Sequence, residues 1–172
     1  MKKLIMVFTL ITSVIFLIIA PIFINFPIKI VYNSSSSAPI GYYKIKAVSE
    51  LKRGVYIVVQ TPLDFRLLAA KRQYLPLNVP LIKQVVGIFG DEICRYNESI
   101  FINKKLVAIA LKHDSKNRLL PVWQGCIILK ENQFFALMSS PNSFDGRYFG
   151  ALNTSYIIGI ATPILVWKSD EN

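Results

Sequence analysis

The feature that most constrains this chain is its start. Met1-Lys2-Lys3 leads into Leu4 to Phe26, a stretch without a charge, interrupted only by Thr9, Thr12, Ser13, Pro21 and Asn25. At about 1.5 Å per residue, about 20 such residues cross a hydrocarbon core of about 30 Å, so the run predicts one membrane helix. A secretory leader has a shorter apolar region that ends in small residues at a cleavage site. Here Ala20 is followed by Pro21 and further large apolar residues, and an uncleaved anchor is expected. Lys2 and Lys3 place the N-terminus in the cytoplasm by the positive-inside tendency, with the body outside from about Ile30. The expected division is residues 1–30 as cytoplasmic N-terminus and transmembrane anchor, and 31–172 as one extracytoplasmic domain of ordinary size.

Of the 172 residues 53% are hydrophobic, and part of that excess sits in the first thirty. Lys and Arg number 20 against 10 Asp and Glu, a formal charge of +10, which attracts anionic lipid head groups or nucleic acid. The positive residues are scattered through Lys44, Lys46, Lys52, Arg53, Lys71, Arg72, Lys104, Lys105, Lys112, Lys116 and Arg118. With them comes no recognition helix, zinc spacing or Gly-rich phosphate loop. Membrane lipid rather than nucleic acid is the expected partner, and neither a metal site nor a cofactor motif is expected. Cys94 and Cys126 suit one disulfide in an oxidising compartment, while spacing alone leaves two separate buried thiols open.

In the body, Asn33-Ser34-Ser35-Ser36-Ser37-Ala38-Pro39-Ile40-Gly41 is polar and then punctuated by Pro and Gly, as in a loop entering a strand. Taken alone, the serine run reads as a flexible linker. Tyr42–Val48, Gly54–Thr61, Leu81–Ile88, Glu92–Tyr96, Ile100–Ala110, Cys126–Lys130, Phe134–Ser139 and Tyr156–Trp167 are short runs rich in β-branched and aromatic residues, separated by turn signals. They predict a mainly β, antiparallel domain. Asp64–Tyr74 reads as its one short helix, packed on the sheet or lying along the membrane surface. Lys168 to Asn172 reads as an exposed end.

A serine hydroxyl attacks a peptide carbonyl only when a base takes its proton, and histidine is the usual base. His113 is the single histidine and lies in the polar segment Lys112 to Arg118, so a Ser/His/Asp triad is poorly supported. Lysine can substitute if it is desolvated, because its ordinary pKa of about 10.4 leaves well under about 1% unprotonated at neutral pH. Leu81-Ile82-Lys83-Gln84-Val85-Val86 puts a lysine in such a run, although the same pattern fits an edge-strand gatekeeper.

Three segments change this balance. The serine segment, with Asn33, Ser35, Ser37, Pro39, Gly41 and Tyr43, resembles the serine box of signal peptidases, especially the conjugative-transfer TraF-type branch. Pro80 to Asp91 resembles the lysine box of that superfamily, a hydrophobic strand followed by a Gly-x-x-Gly-Asp turn. Ser143-Phe144-Asp145-Gly146-Arg147-Tyr148-Phe149-Gly150 resembles its last box, and Leu120 to Cys126 a further element of the TraF branch. The order is the family's, and most of the body is covered.

The resemblance implies a signal-peptidase-like β domain. By position, Ser37 would be the nucleophile and Lys83 the general base, with Ser143 orienting Lys83. The Ser35 hydroxyl and the Ser37 N–H would form the oxyanion hole, and Asp145 and Arg147 an ion pair supporting the strand that carries Ser143. It also favours pairing of Cys94 with Cys126. Two residues depart from the pattern: Gln84 stands where the family often has Arg, and Gly146, where it often has Ser, is expected to loosen the backbone. The implied substrate is an exported precursor with small residues at the scissile bond. In the TraF branch this is the pilin precursor of a conjugative type IV secretion system, processed at the inner membrane to a linear or cyclised product. The rival readings are a general signal peptidase I removing leader peptides and a non-enzymatic, membrane-anchored assembly factor.

Overall fold

The computed structural model describes residues 2–23 and 30–167, with the side chains of Leu4 and of residues 21–23 left aside. The end of the predicted anchor, including Asn25 and Phe26, and the tail from Lys168 lie outside the described residues. Helix α1, Lys2–Phe23, carries exposed apolar side chains such as Phe16 and Leu17. Its threonines return their hydroxyls to the helix, Thr9 donating to the Met6 carbonyl at 2.9 Å and Thr12 to the Thr9 carbonyl at 3.0 Å. Among the described residues no helix is long and apolar enough to cross a membrane.

The body is mainly antiparallel β. Its strands are β1 Ile30–Asn33, β2 Ile40–Lys46, β3 Tyr56–Val59, β4 Leu81–Gly87, β5 Glu92–Tyr96, β6 Ser99–Ile102, β7 Lys105–Ile109, β8 Gly125–Ile128, β9 Gln133–Leu137, β10 Leu152–Asn153 and β11 Ile157–Trp167. Seven form one sheet in the order β1-β2-β11-β3-β4-β9-β10, and four form a second in the order β7-β6-β5-β8. Strand β4 lies inside the large sheet, and apolar side chains stand on both of its faces: Val85 packs with Ile57, Val59, Phe134 and Ala136, while Ile82 packs on the other side with Ala38, Tyr43, Val58 and Met138. A third cluster, Ile93, Ile100, Leu129, Phe135 and Leu137, joins the two sheets.

Several expectations shift at the turns. The run Ile100–Ala110 is two strands, β6 and β7, because Asn103 (φ 49°) and Lys104 (φ 67°) form a tight hairpin turn with both residues left-handed. Helix α2 is Leu63–Lys71 and stops short of Tyr74, since Gln73 turns left-handed at φ 61°. The domain does not have one short helix: α3, Gly146–Phe149, and a 3₁₀ turn, Thr154–Tyr156, also form. Strands β1 and β10 were hidden as well, β1 in the junction after the anchor and β10 by its length of 2 residues. Asp91 explains the Gly-x-x-Gly-Asp turn after β4. It is buried and accepts from Arg53, from Asn103 Nδ2 at 2.8 Å and from the Ile88 N–H at 2.8 Å, tying three loops together.

The serine segment is held by its neighbours. Asn33 Nδ2 donates to the carbonyls of Ser35, Ala38 and Pro39 at 2.9, 3.1 and 3.1 Å, and Asn33 Oδ1 accepts from the Ser35 N–H at 3.1 Å. Tyr43 donates its hydroxyl to the Pro39 carbonyl at 2.6 Å, and burial beside Tyr56 pushes its pKa up to about 12, so it stays a donor. Gly41 lies at φ +142°, and a Cβ there would sit 2.1 Å from the Leu165 carbonyl oxygen on β11. The run is a braced turn and not a linker. Gly41→Ala is therefore expected to cost at least about 2 kcal/mol in chemical denaturation, against about 1 kcal/mol for Gly54→Ala, where φ is also positive but the space is open. Equal losses would show that the close approach to β11 does not hold this segment.

Candidate active site

Lys83 is the residue around which the site is built. It sits in β4 opposite Ile57 of β3 and is only 1% exposed. Its Nζ donates to Ser143 Oγ at 2.8 Å, so the amine ends on a hydroxyl instead of a carboxylate. Burial brings its pKa down from 10.5 to about 8, with Asp145 pulling it back up and Arg147 adding to the fall. Taking an ammonium out of water disfavours the charged form. A lysine so placed is a substantial fraction neutral near physiological pH, which a solvated lysine is not.

Ser143 lies in the loop between β9 and α3 and not on a strand, a correction with a physical reason. Asp145 is the N-cap of α3, accepting from the Arg147 N–H at 3.1 Å, so the chain must leave the sheet before that residue. The Asp145 carboxylate also accepts from the Met138 N–H at 3.0 Å and from Arg147 Nη1 at 2.7 Å. Arg147 donates onward to the carbonyls of Ser140 at 3.1 Å and Met138 at 2.8 Å. Asp145 and Arg147 are both buried. Burial pushes the Asp145 carboxyl up, and Arg147, Lys83 and the hydrogen bonds it accepts oppose this. The pair fixes the whole turn from Met138 to Arg147 and with it the Ser143 hydroxyl.

Gly146 does not loosen this turn. A Cβ at that position would meet the Ala136 carbonyl oxygen at 2.7 Å and the Phe135 ring at 2.8 Å. The backbone of α3 is pressed onto β9, and no side chain fits between them. Two residues whose roles were not foreseen clamp its far side. Trp123 Nε1 donates to the Gly146 carbonyl at 3.0 Å, and Arg95, only 2% exposed, donates to the Arg147 carbonyl. The Arg95 guanidinium lies 6.0 Å from the Trp123 ring centre. Trp123 stood within the Leu120 to Cys126 element, but no sequence signal tied it to the last box.

The disulfide pairs Cys94 with Cys126 across β5 and β8, whose Cα atoms are 4.0 Å apart at directly opposed positions. It flanks both clamp residues along the chain. Glu92, Cys94 and Cys126 lie close enough to suggest a metal site, but the bond consumes both thiolates that a metal would need.

Ser37 and Lys83 line one cleft, of about 720 Å³, together with Ser35 and Ser143. Among the described residues Ser37 is not hydrogen-bonded to Lys83. Its Oγ is instead 3.0 Å from Ser35 Oγ, and its N–H points at the same Ser35 oxygen at 3.4 Å. The two groups expected to line an oxyanion hole are thus turned toward each other. His113 lies outside this cleft on an exposed loop, where the neighbouring Asp114 organises the turn by accepting from Lys116 N and Arg118 N, both at 2.9 Å.

Residues 1–167 match the family described as signal peptidase, peptidase S26. Two relatives from Escherichia coli, each named plasmid transfer protein TraF, are 30% and 28% identical over 146 residues, covering 78% of this chain and 82% of theirs. A solved signal peptidase I from Enterococcus faecalis aligns with 66% of this chain and 98% of its own at 17% identity and a TM-score of 0.37, too distant to carry an argument. On the extent of the family match and the identity to the TraF proteins, the chain belongs to the S26 signal peptidase family.

Proposed function

We propose that this protein is a serine endopeptidase using Ser37 as nucleophile and Lys83 as general base, held at a membrane by its N-terminal segment. The observation that carries the reading is a lysine amine, 1% exposed and bonded to a serine hydroxyl, on the wall of the cleft that also holds Ser37. Lys83 in its neutral form would take the Ser37 proton as Oγ attacks the scissile carbonyl and then give that proton to the leaving nitrogen as the C–N bond breaks, leaving an acyl-enzyme, a free amine product and a neutral Lys83. A water, deprotonated by the same amine, would release the acyl group. The Ser37 hydroxyl must first turn from Ser35 toward Lys83. Catalytic hydrogen bonds are often loose without substrate and tighten in the complex. That rotation would also free the Ser37 N–H and the Ser35 hydroxyl to bind the oxyanion.

The membrane placement rests on the charge-free run after Lys2 and Lys3, with exposed apolar side chains along α1. An N-terminus in the cytoplasm and a body in the periplasm or outside the cell follow from the same lysines, and the disulfide suits that side. The likeness to plasmid transfer proteins favours a precursor of a conjugation apparatus, a pilin, over the many leader peptides of a general signal peptidase.

Processing of a candidate pilin precursor, followed in membranes by mass spectrometry, tests the reading. Ser37→Ala and Lys83→Ala should each lower the rate at least about 1,000-fold, and the product mass separates a linear chain from a ring. Normal processing by both variants would favour an assembly factor without catalysis. A second test is the pH profile. Because Lys83 must be neutral to act, kcat/KM should rise with pH to a plateau above about 8, and should lie about 100-fold below that plateau two pH units lower. Full activity well below neutrality would exclude a lysine base.

A further inference from the structure

The cleft contains a cation that no described group answers. Arg66, on α2, lines the same cleft as Ser37 and Lys83. Its Nε is shut off from solvent and has no hydrogen-bond partner among the described residues. No described carboxylate lies within ion-pair distance of its guanidinium. The other arginine with such an Nε, Arg147, differs in kind: the rest of its guanidinium holds Asp145 and two carbonyls. For Arg66 no such side-chain bond exists among the described residues.

The remaining charges of the cleft do not supply the partner. Asp114, which also lines it, is already engaged by the Tyr74 hydroxyl, by Arg118 Nε at 2.7 Å and by two backbone N–H groups. Lys83 is a second base and not a counter-ion. Asp64 shares α2 with Arg66 but stands two residues away, and positions so spaced do not face each other on a helix. A buried guanidinium N–H left unpaired is costly, and a native structure keeps one where something outside the fold completes it. A carboxylate approaching from the side satisfies Nε and one Nη together, in a bidentate pair.

We propose that Arg66 is a specificity residue that binds a carboxylate of the peptide substrate, either an Asp or Glu side chain near the scissile bond or the C-terminal carboxylate of the chain. This rests on the peptidase reading above for what enters the cleft. The formal charge of +10 draws such an acidic segment toward the protein from solution.

The test uses the full-length Ser37→Ala protein, which holds peptides without cutting them, and fluorescent alanine-centred peptides of four kinds. One is neutral and amidated, one carries Glu, one carries Gln at the same place, and one is neutral with a free C-terminal carboxylate. The Glu peptide or the free-carboxylate peptide should bind at least about tenfold more tightly than its neutral counterpart, and which of the two does so identifies the source. Arg66→Gln should remove that preference while leaving the binding of the neutral peptide unchanged, and Arg66→Lys should retain part of it. Equal binding of all four peptides, no binding of any, or a preference that survives Arg66→Gln would overturn the proposal. Cleavage by the protein with Ser37 intact is scored separately: its absence counts against the peptidase reading, and the binding comparison still decides the role of Arg66.

Discussion

A lysine amine buried in the middle of a sheet is the constraint on which the rest of this structure depends. Lowering its pKa from 10.5 to about 8 means that the protonated form is disfavoured by about 3 kcal/mol relative to water. The sign follows from linkage: the folded state binds this proton less well than the unfolded chain, so the cost is fully present below about pH 8 and fades as the pH rises through 10.5. A fold accepts such a cost where neutral lysine is of use. The sheet supplies the apolar surroundings, with Ile57 directly across from Lys83 on β3.

Desolvation alone would leave the amine without direction. Ser143 gives it one, and Ser143 is held by a turn whose polar groups are nearly all answered within the protein. Asp145 gathers the Met138 and Arg147 N–H groups, Arg147 returns to the Met138 and Ser140 carbonyls, and Arg95 and Trp123 take the carbonyls of Arg147 and Gly146. Because Arg95 follows Cys94 and Trp123 precedes Cys126 closely in the chain, the disulfide and the small sheet act on the lysine through this turn. The serine side is built differently. Asn33 and Tyr43 brace its backbone, while the hydroxyls of Ser35 and Ser37 line the cleft and lie 3.0 Å from each other.

Much of this was legible because the chemistry is local in sequence. Three short motifs mark Ser37, Lys83 and Ser143, and the strands that carry or flank them are periodic and apolar. What escaped the reading depends on long-range fit. The hairpin at Asn103-Lys104 carries a lysine where a turn signal would carry glycine, so β6 and β7 read as one run. Gly146 read as a weak point because its reason, contact with Ala136 and Phe135 on β9, is 10 or more residues away in the chain. Strand β1 was masked by the polar segment it leads into, and α3 is too short for a periodic signal. The disulfide pairing was open on spacing and followed only from the resemblance, since nothing local tells that residues 94 and 126 face each other across β5 and β8.

The central claim is that burial lowers the Lys83 pKa to about 8, so that a working fraction of the amine is neutral near physiological pH. Its most direct test is an NMR titration of the Lys83 side chain in the full-length Ser37→Ala protein, labelled at the lysine ε-carbons and assigned by comparison with Lys83→Met. The account predicts a midpoint near 8, well separated from the other lysines. A midpoint near the ordinary lysine value of about 10.4 would contradict it, because the buried amine would then be a structural cation and not a base for Ser37.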